Sequence, residues 1–145
     1  MGGAPVTGPG VPGVVVAVDV GTVRIGVAAS DPHRILASPV ETVPAPGVER
    51  VAQIVADREA VLVVVGLPTS MSGQAMSASA QMARDFADKL AELIAVPLEL
   101  VDERLTTVSA TAALRASGKK GKQARAVIDQ AAAVALLQGV LDTRR

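Results

Sequence analysis

Apolar and polar positions along the chain change their period several times, and each change marks an element. Val14 to Val20, VVVAVDV, is a Val/Ala run broken by one charge, which reads as a buried strand. Gly21-Thr22 turns the chain, and Arg24 to Ser30 predicts a second strand pairing back on the first as a hairpin. After a turn at Asp31-Pro32-His33-Arg34, Ile35 to Val43 predicts a third strand, with Pro39 placing it toward an edge. Val48, Val51, Ala52, Val55 and Ala56 then follow the i, i+3, i+4 spacing of an amphipathic helix over Val48 to Arg58. Ala60 to Gly66, AVLVVVG, is too short and β-branched for a helix and too apolar for an edge, so it predicts a central, parallel strand.

Leu67 to Ser79 is small and polar and carries no ionisable group. It leads to a helix over Ser79 to Ala95 with Met82, Ala83, Phe86, Leu90, Leu93 and Ile94 on one face. Pro97 to Asp102 predicts the fifth strand. Thr106 or Thr107 can cap a short helix that ends near Ser117-Gly118. Gln123 to Leu141 is a long Ala/Val/Leu-rich helix. The order β-β-β-α-β-α-β-α-α predicts an α/β fold, a mixed sheet covered by helices. No internal repeat or linker divides it. Residues 13–145 are expected to form one domain behind a flexible tail, 1–12, which has no Lys or Arg and no continuous apolar core and so is no secretory signal.

Composition narrows the function classes. The 145 residues are 50% hydrophobic and 19% charged, suited to a globular protein with an ordinary core. Phe86 is the one aromatic residue, so Val, Leu, Ile and Ala must build that core. No uncharged apolar run reaches the roughly 20 residues that span a bilayer. Cysteine is absent, which excludes disulfides and thiolate metal sites and fits a cytoplasmic protein. The net charge is zero, against a strong non-specific nucleic-acid binder. The distribution is uneven, however. Between Glu103 and Asp129 every charged residue is basic: Arg104, Arg115, Lys119, Lys120, Lys122 and Arg125.

Three acidic positions stand out against this background. Asp19 is the only ionisable side chain before Arg24, in a strand where an unpaired charge would cost several kcal/mol. Taken alone it is as consistent with capping the Gly21 turn as with catalysis. Asp102-Glu103 ends the fifth strand, where ligands bind in open α/β sheets. Asp129 is the sole ionisable side chain between Ala126 and Leu141, on a helix apolar enough to be largely buried. Any one of the three has a structural reading as a capped or satisfied core acid. Three on separate elements, with no Cys and one His, favour a carboxylate site for Mg²⁺ or Mn²⁺ engaging a phosphate substrate. His33, beside a turn proline, is expected to be an exposed loop residue.

Seven short motifs in order carry a family resemblance. They are Asp19-Val20-Gly21-Thr22 with Arg24-Ile25-Gly26-Val27, Ser30-Asp31-Pro32, Pro39-Val40-Glu41-Thr42, Val65-Gly66-Leu67-Pro68, Asp102-Glu103-Arg104-Leu105-Thr106-Thr107, and Val127-Ile128-Asp129-Gln130-Ala131-Ala132. Together they resemble the YqgF family of RNase H-like nucleases, which includes the pre-16S rRNA nucleases and the RuvX-type Holliday-junction resolvases. The resemblance runs from about Gly13 to Asp142. It implies an RNase H-like mixed five-stranded sheet whose first three strands are antiparallel. It also implies a metal-binding, catalytic cluster of Asp19, Glu103 and Asp129, with Asp102 the fallback for Glu103. Alternation along a strand lets only one of those two neighbours face the metal.

The resemblance further implies a metal-dependent endonuclease acting on structured RNA, in 5′-end maturation of pre-16S rRNA, or on branched DNA as a junction resolvase. A monomer or homodimer is expected, with no membrane partner. Thr22, Arg24, Arg104, Lys119, Lys120, Lys122 and Arg125 are the expected nucleic-acid contacts. Two departures from the family pattern lie near that surface: Val23 stands where many members have Lys, and Thr69-Ser70-Met71-Ser72-Gly73 lacks the family's Asn and acidic residues. Two other classes compete. Asp-x-Gly-Thr also opens the phosphate loop of sugar kinases and actin-like ATPases, which need a second such domain that 145 residues do not accommodate. A non-catalytic nucleic-acid-binding factor with vestigial acids is the other.

Overall fold

A computed structural model of the chain describes residues 13–68, 78–103 and 121–144, and over 121–129 the course of the helix without its side chains. The strands are β1 (Val15–Val20), β2 (Arg24–Ser30), β3 (Ala37–Pro44), β4 (Leu62–Leu67) and β5 (Leu98–Asp102), and they form one sheet in the order β3-β2-β1-β4-β5. The first three pair antiparallel, while β4 runs parallel to both β1 and β5. Among the described residues the helices are α1 (Val48–Asp57), α2 (Ala78–Leu93) and α3 (Gly121–Thr143).

Side-chain alternation sorts the core into two layers. On one face Val16, Val18, Val63 and Val65 pack against Val51, Ile54 and Val55 of α1 and Ala83, Phe86, Ala87 and Leu90 of α2. On the other, Val15, Ala17, Leu62, Val64 and Val101 pack against Ala133, Leu136, Leu137, Val140 and Leu141 of α3. The run AVLVVVG is apolar because both faces of β4 are covered.

The turn between β1 and β2 is closed by the Gly21 N–H donating to Arg24 O at 2.9 Å. A Cβ at Gly21 would lie 2.5 Å from that oxygen, so no other residue fits this turn. At its far end β3 starts at Ala37, two residues later than the sequence pattern predicts. The Asp31 carboxylate accepts the backbone N–H groups of His33, Ile35 and Leu36 at 3.0, 2.8 and 2.7 Å. These bonds, which also hold the Asp31 carboxyl below its usual range, tie the segment into a turn and leave Ile35 and Leu36 exposed. Gln138 of α3 then stitches the start of the strand to the helix, accepting from Ala37 N–H at 2.9 Å and donating to Ile35 O at 3.0 Å.

Helix α3 begins at Gly121, ahead of the predicted Gln123, so Lys122 belongs to the helix rather than to a loop before it. The tail 1–12, the helix expected after Thr106, and the loop holding Met71 and Met76 lie outside the described residues.

Candidate functional site

Asp19 lies near the end of β1, with the parity of Val15 and Ala17 and so on the face that α3 covers. It pairs in register with Gly26 of β2, which in turn pairs with Thr42 of β3. On the other side, β4 matches Val18 with Val65, so Gly66 is the next residue alongside Asp19. Val101 of β5 pairs with Gly66, and Glu103 follows two residues later on the same face. Asp102, between them, takes the opposite parity. The structure therefore separates the two neighbouring acids: Glu103 shares Asp19's side of the sheet and Asp102 does not.

Glu103 crosses β4 to reach Asp19 and hydrogen-bonds to it. Burial, the bond to Asp19 and the negative charges of Asp19 and Asp102, in that order, push the Glu103 carboxyl from the usual 4.5 up to about 8. The raised value belongs to the pair, so at neutral pH Glu103 and Asp19 share one proton. Gly66 sits beneath this crossing. A Cβ added there would stand 2.8 Å from Glu103 Oε1 and 2.9 Å from its Cγ. The motif Val65-Gly66-Leu67-Pro68 gives Gly66 no role of its own, although a lone glycine in a β-branched strand signals a close approach.

The helix turn that bears Asp129 is tied to the same row of residues. Gln130 Nε2 donates to Thr42 Oγ1 at 2.9 Å, across β2 from Asp19. At its other end α3 is held by Arg144, whose guanidinium makes a paired bond to the Glu99 carboxylate at 2.7 and 3.2 Å. The Asp129 side chain is outside the described residues, as are those of Lys122 and Arg125 and the whole of Arg104, Lys119 and Lys120. Among the described residues no three acids or histidines gather into a metal-sized group. Two carboxyls do, Asp19 and Glu103.

Thr22 is exposed in the β1–β2 turn, and Arg24 opens β2, half-buried, on the Asp19 face. His33 is exposed, as expected. No described helix is long and apolar enough to cross a membrane.

The donor set can be tested against the cation that the motifs imply. Two hard carboxyl oxygen donors sit half-buried and close enough to share a proton, which is a site short of positive charge. Oxygen donors of this kind fit Mg²⁺ or Mn²⁺, with part of the coordination left to water and substrate.

The family model described as "RuvX: Holliday junction resolvase" matches residues 13–143. The chain is 55% identical over 133 residues to a Mycobacterium ulcerans protein named "Putative pre-16S rRNA nuclease", covering 88% of this chain and 78% of that one. A protein of the same name from Nocardia farcinica is 52% identical over 151 residues, covering 97% and 83%. Among solved structures, Thermus thermophilus RuvC bound to a Holliday junction substrate superposes with a TM-score of 0.62 at 15% identity, over 90% of this chain and 94% of that one. A second Thermus thermophilus RuvC structure superposes with a TM-score of 0.56 at 17% identity. These two likenesses carry the fold, an α/β mixed five-stranded sheet of the RNase H type.

Proposed function

The chain belongs to the RuvX family, whose model matches nearly its whole described length, and from that premise we propose that it is a divalent-metal-dependent endonuclease. Its reaction is hydrolysis of phosphodiester bonds, in 5′-end maturation of pre-16S rRNA in the cytoplasm. The observation that carries the reading is the meeting of Glu103 with Asp19 across β4. A buried acid pair costs stability, and catalysis is a reason for a fold to retain one.

In this reading Asp19, Glu103 and Asp129 hold Mg²⁺ or Mn²⁺. When bound, the cation supplies positive charge where negative charge builds on the phosphate oxygens. The pair would give up its shared proton on loading. Asp129 is the third ligand of this reading, which the bond from its chain neighbour Gln130 to Thr42 supports. Thr22 in the β1–β2 turn and Arg24 at the start of β2, together with Arg104, Lys119, Lys120, Lys122 and Arg125, position the phosphate backbone without reading bases.

A second reading is favoured by the matching family's own description: resolution of Holliday junctions in DNA recombination or repair. Symmetric cleavage of two strands suits a homodimer. One experiment tests both readings. Purified protein is incubated with Mn²⁺ or Mg²⁺ and either a pre-16S rRNA precursor or a four-way DNA junction, and the cut sites are mapped. Cation-dependent trimming of the precursor supports the first reading. Paired nicks in the junction by a dimer support the second. No cleavage of either substrate overturns both.

A further inference from the structure

Strand β4, LVVVGL, centres on three β-branched valines, and Gly66 interrupts it near its end. Glycine weakens a strand interior by its extra freedom when unfolded, so a reason is needed for it here. Backbone conformation is not that reason. The glycines with positive φ among the described residues are Gly13 and Gly47, and Gly66 is not one of them. The reason is what lies over the residue. Asp19 stands on β1 and Glu103 just past the end of β5, and these two strands flank β4, roughly two interstrand spacings, or about 9.5 Å, apart. For the two carboxyls to meet, a side chain must pass directly over β4. The residue it passes is Gly66, alongside Asp19 and paired with Val101.

The space above Gly66 is already full. A Cβ there would be 2.8 Å from Glu103 Oε1, 2.9 Å from Glu103 Cγ and 3.1 Å from Leu136 Cδ2. Leu136 is 1% exposed and locked in the α3 core, so it has little room to give. Any side chain at this position must displace Glu103 instead.

We propose that Gly66 is a positioning residue: its missing side chain is the passage through which Glu103 crosses β4 to stand beside Asp19. This rests on the reading of that acid pair as the cation site. Occupying the passage separates the carboxyls while leaving both in the protein, and so weakens cation binding without removing a ligand.

The test uses the full chain and Mn²⁺ alone, titrated by calorimetry into wild type, Gly66→Ala, Glu103→Gln, Glu103→Asp and the double variant Gly66→Ala/Glu103→Gln. Thermal melts are run alongside, with a crystal structure of Gly66→Ala. Gly66→Ala is expected to weaken Mn²⁺ binding by about tenfold or more, the scale seen when the supports of a metal ligand are disturbed. The crystal structure should show Glu103 moved off Asp19 with the β4 backbone in place. In the Glu103→Gln background Gly66→Ala should cause no further loss, since both changes act through one carboxylate. Glu103→Asp should lose affinity as Gly66→Ala does, because the shorter side chain no longer spans β4.

Unchanged Mn²⁺ affinity in Gly66→Ala, beside a loss in Glu103→Gln, overturns the inference alone. So does a loss in the double variant that is the sum of the single losses. If Gly66→Ala does not fold, Glu103→Asp decides: wild-type affinity there overturns the inference and reduced affinity upholds it. If Glu103→Gln binds Mn²⁺ as tightly as wild type, the acid-pair reading falls, and the inference with it.

Discussion

Glu103 and Asp19 are hydrogen-bonded across an intervening strand, so two acids from opposite sides of β4 hold one proton between them. Burial is the largest cause of the raised Glu103 pKa, followed by its bond to Asp19. Between about pH 4.5 and 8 the folded chain keeps a proton that the unfolded chain has released. Stability then falls as pH rises through that window and levels off above it. Metal-free protein should melt a few degrees lower at about pH 8.5 than at about pH 6. Glu103→Gln, neutral throughout, should remove most of that difference in a pH series of thermal melts.

The same proton makes a second prediction, on cation loading. A carboxyl must ionise to bind metal, so Mn²⁺ binding at pH 7 should release about one proton from the pair. Calorimetry in buffers of different ionisation enthalpy measures the number. Wild type should release about one and Glu103→Gln close to none.

The strands and helices were legible because their apolar periods are clean, and the two-sided burial of β4 is written in its unbroken Val run. Asp19 was legible as an isolated charge in an apolar strand. The late start of β3 was not, because one carboxylate, Asp31, captures three backbone N–H groups and outweighs the apolar character of Ile35 and Leu36. The choice between Asp102 and Glu103 needed the register of β5 against β4, which no local pattern contains. Nor does local pattern show that Gly66 lies under a side chain arriving from another strand.

Removing the proposed ligands should separate chemistry from folding. Asp19→Asn, Glu103→Gln and Asp129→Asn should each slow cleavage by about a hundredfold or more, the scale of losing a preorganised electrostatic contact. Asp102→Asn, on the opposite face, should keep most activity. In thermal melts without metal above about pH 8, where Glu103 ionises beside it, Asp19→Asn should be as stable as wild type or more so, since it removes one charge from a repelling pair. A drop of several degrees would mark Asp19 as structural.

Gln138 supports a prediction that concerns the fold alone. Its amide satisfies the Ala37 N–H and the Ile35 carbonyl at 2.9 and 3.0 Å, fastening edge strand β3 to α3. Gln138→Ala leaves a part-buried N–H without its partner, which typically costs about 1–3 kcal/mol. Urea unfolding should show a lower midpoint with unchanged slope, and cleavage below the transition should persist.

The basic stretch supports the last prediction, because its charges belong to binding rather than to bond breaking in the proposed reading. From Arg104 to Ile128 the chain holds no acid, and its net charge as a whole is zero, so no diffuse positive field can stand in for this patch. If Lys119, Lys120, Lys122 and Arg125 contact phosphates, they act by displacing condensed counterions. Each lost contact should then lower the salt slope of binding by roughly 0.7 to 0.9. Changing all four to Ala should raise Kd for RNA and DNA alike, since phosphate contacts carry no sequence information. At saturating substrate, cleavage should largely survive, because the acids that hold the cation are untouched. The check is affinity measured across a salt series for wild type and the quadruple variant. An unchanged Kd and an unchanged slope would take the four residues out of the interface.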